Sequence, residues 1–313
     1  MENNFSLKQF GASLNYERVK KLGDKLDKIS DVIDWDRLKK YLRVNAKVGR
    51  PPYDRVLMVK LLALQSWYGL SDQELEYQVA DRLSFQKFLG FLNEIPDFTT
   101  IWRFRDELSN DNIMDDLWSD IEEQMKEKGI KFSKGVIQDA QFITADPGKT
   151  NSGMNDRGRG QPTTRNEDGT WATKGEKSFF GYKKHVTVDK DNGIIRRVAI
   201  TTASTADCNI DLTKPDEIVY RDKGYYGTKP KAIGNATMDK ALRGKPLTVR
   251  QKLRNKRIAR KRCPGERQFA VMDRVMNGGH TRLTELHRVF VQQVMCCITF
   301  NLMQIKRILQ NQT

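Results

Sequence analysis

The stretch Ile218-Val219-Tyr220-Arg221-Asp222-Lys223-Gly224-Tyr225-Tyr226-Gly227 decides how the fold of this chain is read. A short apolar run ends in one aspartate, and a glycine turn follows at once. That is how a buried strand delivers a carboxylate to the end of a sheet. Asp222 alone also has a plainer reading, because many strand-end aspartates only cap the next turn. The residues on either side must decide between the two.

Downstream, from Arg221 to Arg262, fifteen Lys and Arg stand against two Asp, and no Glu occurs. A solvated basic loop is one reading. The sharper one is a surface that tracks phosphates, since Lys and Arg displace condensed counterions from nucleic acid. Its candidates are Lys223, Arg250, Lys252, Arg254, Lys256 and Arg257, followed by Arg260, Lys261 and Arg262. The segment Arg262-Cys263-Pro264-Gly265-Glu266 then reads as a helix start, with Pro264 in the first turn. Glu266 either serves chemistry there or complements the helix dipole, worth about 0.3–1 kcal/mol. Asp273, two turns on along the same face, is the reserve acid, and Arg267 and Arg274 are further phosphate candidates beside it. A last helix is expected over Thr284 to Leu309, packed on the sheet by Leu286, Phe290, Val294, Ile298, Leu302, Ile305 and Leu309.

Upstream, Gly135-Val136-Ile137-Gln138-Asp139-Ala140-Gln141-Phe142-Ile143 reads as a strand whose apolar neighbours imply cover on both faces. An acid inside such a strand is costly unless it is paired or binds a metal. That ranks Asp139 above Asp146, which sits in a turn. Thr150 to Lys177 is polar and glycine-rich and is expected to be a long loop or insert, bounded at about 147–178. Tyr182 to Asp189 alternates apolar and polar residues, Asp191-Asn192-Gly193 makes a hairpin turn, and Ile194 to Thr201 returns. Together with the Asp222 strand this predicts a mixed α/β sheet. His185 either touches a phosphate or is a structural strand histidine.

The N-terminal third is expected to be helical. Leu14 to Leu26 and Val32 to Leu42 carry apolar residues at three- and four-residue spacing. Gly49-Arg50-Pro51-Pro52 breaks the pattern and offers Arg50 as an arm for DNA. Val56 to Leu64 reads as a buried helix ending at Gly69, and Ser71 to Glu74 has capping-box spacing. Thr99 or Thr100 is expected to cap a helix in which Arg103 and Arg105 interleave with aromatics. That helix either enters a DNA groove or is a core helix with snorkelling arginines. Short helices with tight turns make a helix-turn-helix-like bundle the expectation for 51–110. Asn112 to Lys128 is a further amphipathic helix.

The chain as a whole has 313 residues, 38% of them hydrophobic, with a net charge of +15. That composition predicts a folded, basic protein and argues against disorder. No apolar stretch approaches the ~20 residues of a membrane span, and Met1 to Phe10 lacks the pattern of a secretory signal. Four cysteines without a CxxC pair suggest a reducing cytosol. No phosphate-binding glycine motif and no nucleophile constellation point to a metabolic enzyme.

Asp139, Asp222 and Glu266 can converge at one sheet edge. Three carboxylates without a good nucleophile indicate hard-cation chemistry, because Mg²⁺ prefers oxygen ligands and keeps waters for substrate phosphates. Two such ions about 3.5–4 Å apart activate a water or a 3′-hydroxyl and stabilise the leaving oxygen.

These residues resemble an insertion-sequence DDE transposase, most similar to the IS-five group. Gly49-Arg50-Pro51-Pro52 through Thr99-Thr100-Ile101-Trp102-Arg103-Phe104-Arg105 resembles that group's helical end-binding domain. The rest is similar to a ribonuclease-H-like catalytic domain, a mixed sheet flanked by helices. The resemblance implies an all-α domain over 1–130 and a catalytic domain over 131–313. It carries the acids to Asp139 (Val-Ile-Gln-Asp-Ala), Asp222 (Tyr-Arg-Asp-Lys-Gly-Tyr) and Glu266 (Gly-Glu-Arg-Gln-Phe). The strand Gly181 to Asp189, with Lys183, Lys184 and His185, is also similar. Around the third acid the family carries Tyr-x2-Arg-x3-Glu-x6-Lys. Arg262 and Glu266 fit that pattern, whereas Ala259 and Asp273 do not, with Arg274 next to Asp273. The implied protein uses two Mg²⁺ or Mn²⁺ ions and binds double-stranded DNA, both its element's inverted repeats and a target. It works as a dimer or larger assembly in a prokaryotic cytoplasm, at the nucleoid. A DNA-binding repressor derived from a transposase and a structure-specific nuclease on the same fold remain the alternatives.

Overall fold

A computed structural model describes residues 7–42, 51–110, 113–149 and 166–311. The chain forms two compact units. One comprises Met1–Lys131 and Ile298–Thr313, the other Phe132–Cys297. The first boundary falls between Lys131 and Phe132. The second cuts the last helix, whose final turns group with the helical unit.

In the helical unit, α1 (Leu7–Lys21) is followed by a short 3-10 turn at Asp36–Lys40, where the spacing of Val32 to Leu42 had predicted a longer helix. Asp34 explains the difference: its Oδ1 accepts from the Asp36 N–H at 3.0 Å and tightens the turn. Helix α2 (Arg55–Tyr68) is capped by Asp54 and ends on left-handed Gly69. It is buried along Met58, Val59, Leu61, Leu62 and Leu64, because its apolar run wraps more than one face. Ser71 caps α3 (Asp72–Asp81), and α4 (Leu83–Leu89) follows. Helix α5 (Phe98–Asn110) is capped by Asp97 and not by Thr99 or Thr100: its Oδ1 accepts from the Thr100 N–H at 2.6 Å. Helix α6 (Ile113–Glu127) buries Leu117, Ile121 and Met125 as its spacing predicts. The C-terminal turns join this unit through Thr299, whose hydroxyl donates to the Ala63 carbonyl at 3.5 Å, and through Lys306, which donates to the Asp27 carbonyl at 2.7 Å.

The second unit is built on six strands: β1 (Gly135–Thr144), β2 (Thr170–Lys174), β3 (Lys177–Asp189), β4 (Ile195–Thr202), β5 (Ile218–Arg221) and β6 (Gly234–Thr237). Their order is β2-β3-β1-β5-β6, with β4 also on β3. β1 runs antiparallel to β3 and parallel to β5, so the sheet is mixed. β2 and the start of β3 lie within the stretch expected to be loop. Trp171 against Phe180, and Phe179 stacked on Phe142 at 4.8 Å, supply the packing that polar composition concealed. Residues 150–165 of that insert lie outside the described residues. Asp189 fixes the β3–β4 turn, its Oδ1 accepting from the N–H groups of Asp191 and Asn192.

Two helices complete the unit. α7 (Val249–Met276) starts at a full capping box, Thr248 with Gln251, well before the expected start at Pro264. The last third of the basic run, from Val249 to Arg262, is therefore helix. Arg, Lys, Gln and Leu are good helix formers, and they outweigh one internal proline. α8 (Leu286–Gln310) begins in this unit, where Val289 packs on Ile143 and Tyr182.

Candidate active site

Strand register brings the first two acids together. The parallel ladder between β1 and β5 ends at Ile137 opposite Tyr220. Continuing the same offset by two residues sets Asp139 beside Asp222, on strands about 4.8 Å apart. The Asp139 carboxyl responds to that neighbour. Its pKa is raised above the usual carboxylate range, first by burial and also by the Asp222 charge, against the opposing pull of Arg262.

Asp222 follows the end of β5 and caps a 3-10 turn at Lys223–Tyr225, its Oδ1 accepting from the Gly224 N–H at 2.8 Å. So the plainer reading of this residue, a turn cap, also holds. The second oxygen is not used by that bond. Gly224 suits the seat, because a Cβ there would come 2.9 Å from Oδ1. Arg221, almost fully buried, secures the loop behind the acid. It donates to Thr237 Oγ1 and to the Thr228 carbonyl, both at 3.0 Å. Burial lowers its pKa.

Helix α7 crosses the sheet above these acids. Asp239, just past β6, clasps its second turn through Arg254 at 3.0 Å and a reciprocal pair of bonds with Asn255. Lys261 lies over the Tyr220 ring at 5.3 Å. Arg262 donates to Asp139 Oδ2 at 2.8 Å. Gly265 rests on Ile137. Asp273 accepts a short bond from Gln141 on β1, and burial raises its pKa. At 100° per residue, positions 262, 266, 269 and 273 share one helix stripe. Glu266 therefore lies on the stripe whose neighbours above and below, Arg262 and Asp273, hold Asp139 and Gln141. It sits in mid-helix and is exposed, not in a first turn, so the dipole reading of Glu266 does not apply. Among the described residues no three acids approach closely enough to hold a metal ion. The structure thus brings Asp139 and Asp222 together, while Glu266 is exposed in mid-helix on the Arg262 stripe of α7.

The donor chemistry fits a hard divalent cation. Asp139, within β1, and Asp222, just past the end of β5, bring two carboxylates together, and burial leaves the first in need of positive charge. An arginine already meets that need in part.

Residues 130–302, more than half of the chain, match the family described as Transposase DDE domain. The chain belongs to the DDE transposases. Residues 14–107 match a second description, Transposase domain (DUF772). No solved structure matches. The mixed sheet with its helices is the ribonuclease-H-like fold of this family, preceded by a helical N-terminal region. Transposases act on DNA, and DDE transposases generally use divalent metal ions. None of the described helices is long and apolar enough to cross a membrane.

Several phosphate candidates of this transposase lie inside the fold. Strand β3 is buried at every position from Gly181 to Asp189, so its basic residues face protein on both sides. Lys183 bonds the Thr205 carbonyl and Asp207. Lys184, fully buried, donates to Gln293 Oε1 at 3.0 Å and to the Gly278 carbonyl at 3.3 Å. His185 bonds Thr201 at 2.9 Å, and burial lowers its pKa to about 4. Arg105, 6% exposed, bonds Asp72 and Gln65 and belongs to the interior of the helical unit. Arg50 lies outside the described residues. Exposed candidates are Arg103, Lys223, Arg250, Lys252, Lys256 and Arg257, with Arg260, Lys261, Arg267 and Arg274.

Three contributors escaped the sequence reading. Gln141 is two residues past Asp139 and so on the same strand face, a period-2 signal that was there to use. Gly265, beside Glu266, marks a close helix–sheet approach. Arg221 carried no usable signal, because nothing in a basic segment distinguishes an inward arginine.

Proposed function

We propose that this transposase, of the IS-five group, binds the terminal inverted repeats of its element, cleaves the ends and joins the 3′-hydroxyl to target DNA as a dimer or larger assembly. The observation that carries the reading is the meeting of Asp139 and Asp222 beneath the Arg262–Glu266 stripe of α7. Asp139, Asp222 and Glu266 would hold Mg²⁺ or Mn²⁺. Bound there, two such ions supply an activated water or 3′-hydroxyl and relieve charge on the leaving oxygen.

The remaining work falls to the chain itself. Exposed cations on α7, from Arg250 to Lys261, neutralise phosphates and hold the duplex across the acids. Arg262 presents a planar fork that suits phosphate oxygens. The Arg221 and Gly224 seat keeps Asp222 aimed while DNA binds. Arg103, beside exposed Trp102 on α5, is the residue of the helical unit offered to the inverted repeat.

Asp222→Ala is expected to abolish end cleavage and to leave end binding in a gel shift intact. Glu266→Gln should lose cleavage by roughly a hundredfold or more, as removal of several kcal/mol of charge stabilisation requires, whereas Asp273→Asn should lose far less. Undiminished cleavage by Asp222→Ala with Mg²⁺ present would remove that residue from the site.

A further inference from the structure

Arg262 has more donors than the fold gives it acceptors. The residue is 8% exposed and carries five N–H groups. One meets Asp139 Oδ2 at 2.8 Å. Nη1 faces the weakly accepting Met238 sulfur at 3.9 Å, and buried Nε lacks a partner. A buried cation left this incomplete is costly and favours any anion that arrives with free oxygens. Its partner has the opposite shortage. Asp139 lies near a second carboxylate, whose charge opposes its own, and this guanidinium is the cation bonded to it at 2.8 Å, beside the Ala140 N–H at 2.9 Å. The Asp139 oxygen bonded to Arg262 is also one that a divalent cation would seek.

We infer that Arg262 is a positioning residue with two alternative partners: it occupies Asp139 in the metal-free protein and passes to a DNA phosphodiester when a divalent cation takes the carboxylate, so that cation and DNA strengthen each other's binding. This rests on the reading of Asp139 as an ion-holding residue. The exchange makes and breaks no covalent bond. The cation replaces one positive charge at Asp139, and the released guanidinium gains phosphate oxygens for its unused donors. Such coupling is reciprocal.

Mn²⁺ binding to the full-length protein, followed by electron paramagnetic resonance, tests this with and without a duplex carrying the sequence that flanks the gene. In the unmodified protein the duplex is expected to tighten Mn²⁺ binding by roughly 5- to 100-fold. Arg262→Met should bind Mn²⁺ more tightly than the unmodified protein without DNA, and should gain little when the duplex is added. Arg262→Gln, which keeps a neutral donor for Asp139, should do the same and carries the test if the Met variant does not fold. Arg262 variants that match the unmodified protein in both measurements, while Asp139→Asn abolishes Mn²⁺ binding, would overturn the exchange and leave the ion-holding reading intact. Absence of Mn²⁺ binding from the unmodified protein under both conditions would overturn the ion-holding reading itself.

Discussion

Gly265 of α7 lies so close to Ile137 of β1 that a Cβ at position 265 would come 2.6 Å from Ile137 Cγ2. Real Cβ atoms do not approach that closely, so glycine is what lets the helix settle onto the strand. This packing point lies one helical turn from Arg262 and two residues from Asp139. It sets the height of α7 above the acids.

Gly265→Ala should therefore be destabilising even though alanine is the better helix former. The helix gain is about 1 kcal/mol, while overpacking a tight core costs about 1–3 kcal/mol. A lower urea midpoint together with slower end cleavage is expected. An unchanged midpoint would show that α7 lifts without cost.

Arg103 and Arg105, two residues apart on α5, should separate cleanly. Buried Arg105 donates to half-buried Asp72 at 2.5 and 2.9 Å, and breaking such a pair costs up to about 3–5 kcal/mol. Arg105→Ala is expected to lower the melting temperature. Arg103→Ala should leave melting unchanged and weaken binding to the element's ends in a gel shift. The reverse pattern would exchange their roles.

His185 should make stability depend on pH. Its folded pKa, about 4, lies below the ordinary value near 6.5, so the unfolded chain binds the extra proton first. Stability from this group is complete above about pH 6.5 and is lost as pH falls toward 4, by up to about 3 kcal/mol. Asp139 and Asp273, whose pKa values are raised, slope the other way as pH falls. The difference between the unmodified and His185→Gln urea profiles isolates the histidine, and parallel profiles would show that His185 does not titrate on unfolding.

Salt dependence should sort the basic residues. Removing one cation that neutralises a phosphate lowers the slope of log K against log salt by about 0.9. Arg257→Gln and Arg260→Gln, exposed on α7, should each reduce the slope by about that amount. Lys184→Met should leave it unchanged, because that ammonium is bonded inside the unit. A reduced slope for Lys184→Met would place it against DNA.

Much of the fold was legible because local chemistry and tertiary outcome agree. Gly69 and Ser71 punctuate α2 and α3 as their backbone and side-chain chemistry demand. Asp191-Asn192-Gly193 turns the hairpin, and Asp139 and Asp222 sit where apolar runs place a strand and its end. Pro264 misled because a start signal was read where the helix simply tolerates a proline. Lys183, Lys184 and His185 misled for a different reason. Alternation suggests one wet face, but β3 is covered on both.

The sequence by itself determined which residues are acids on strands, where the positive charge lies, and which family carries that arrangement. Charge, period and turn chemistry are local properties, readable one window at a time. Only the tertiary structure decided that Asp139 stands beside Asp222, that Arg262 holds Asp139 while Arg105 holds Asp72, and that Glu266 is exposed in mid-helix. Those outcomes depend on strand register and on how closely a helix approaches a sheet. Both are set by packing between residues far apart in the chain, and Gly265 against Ile137 is the plainest instance.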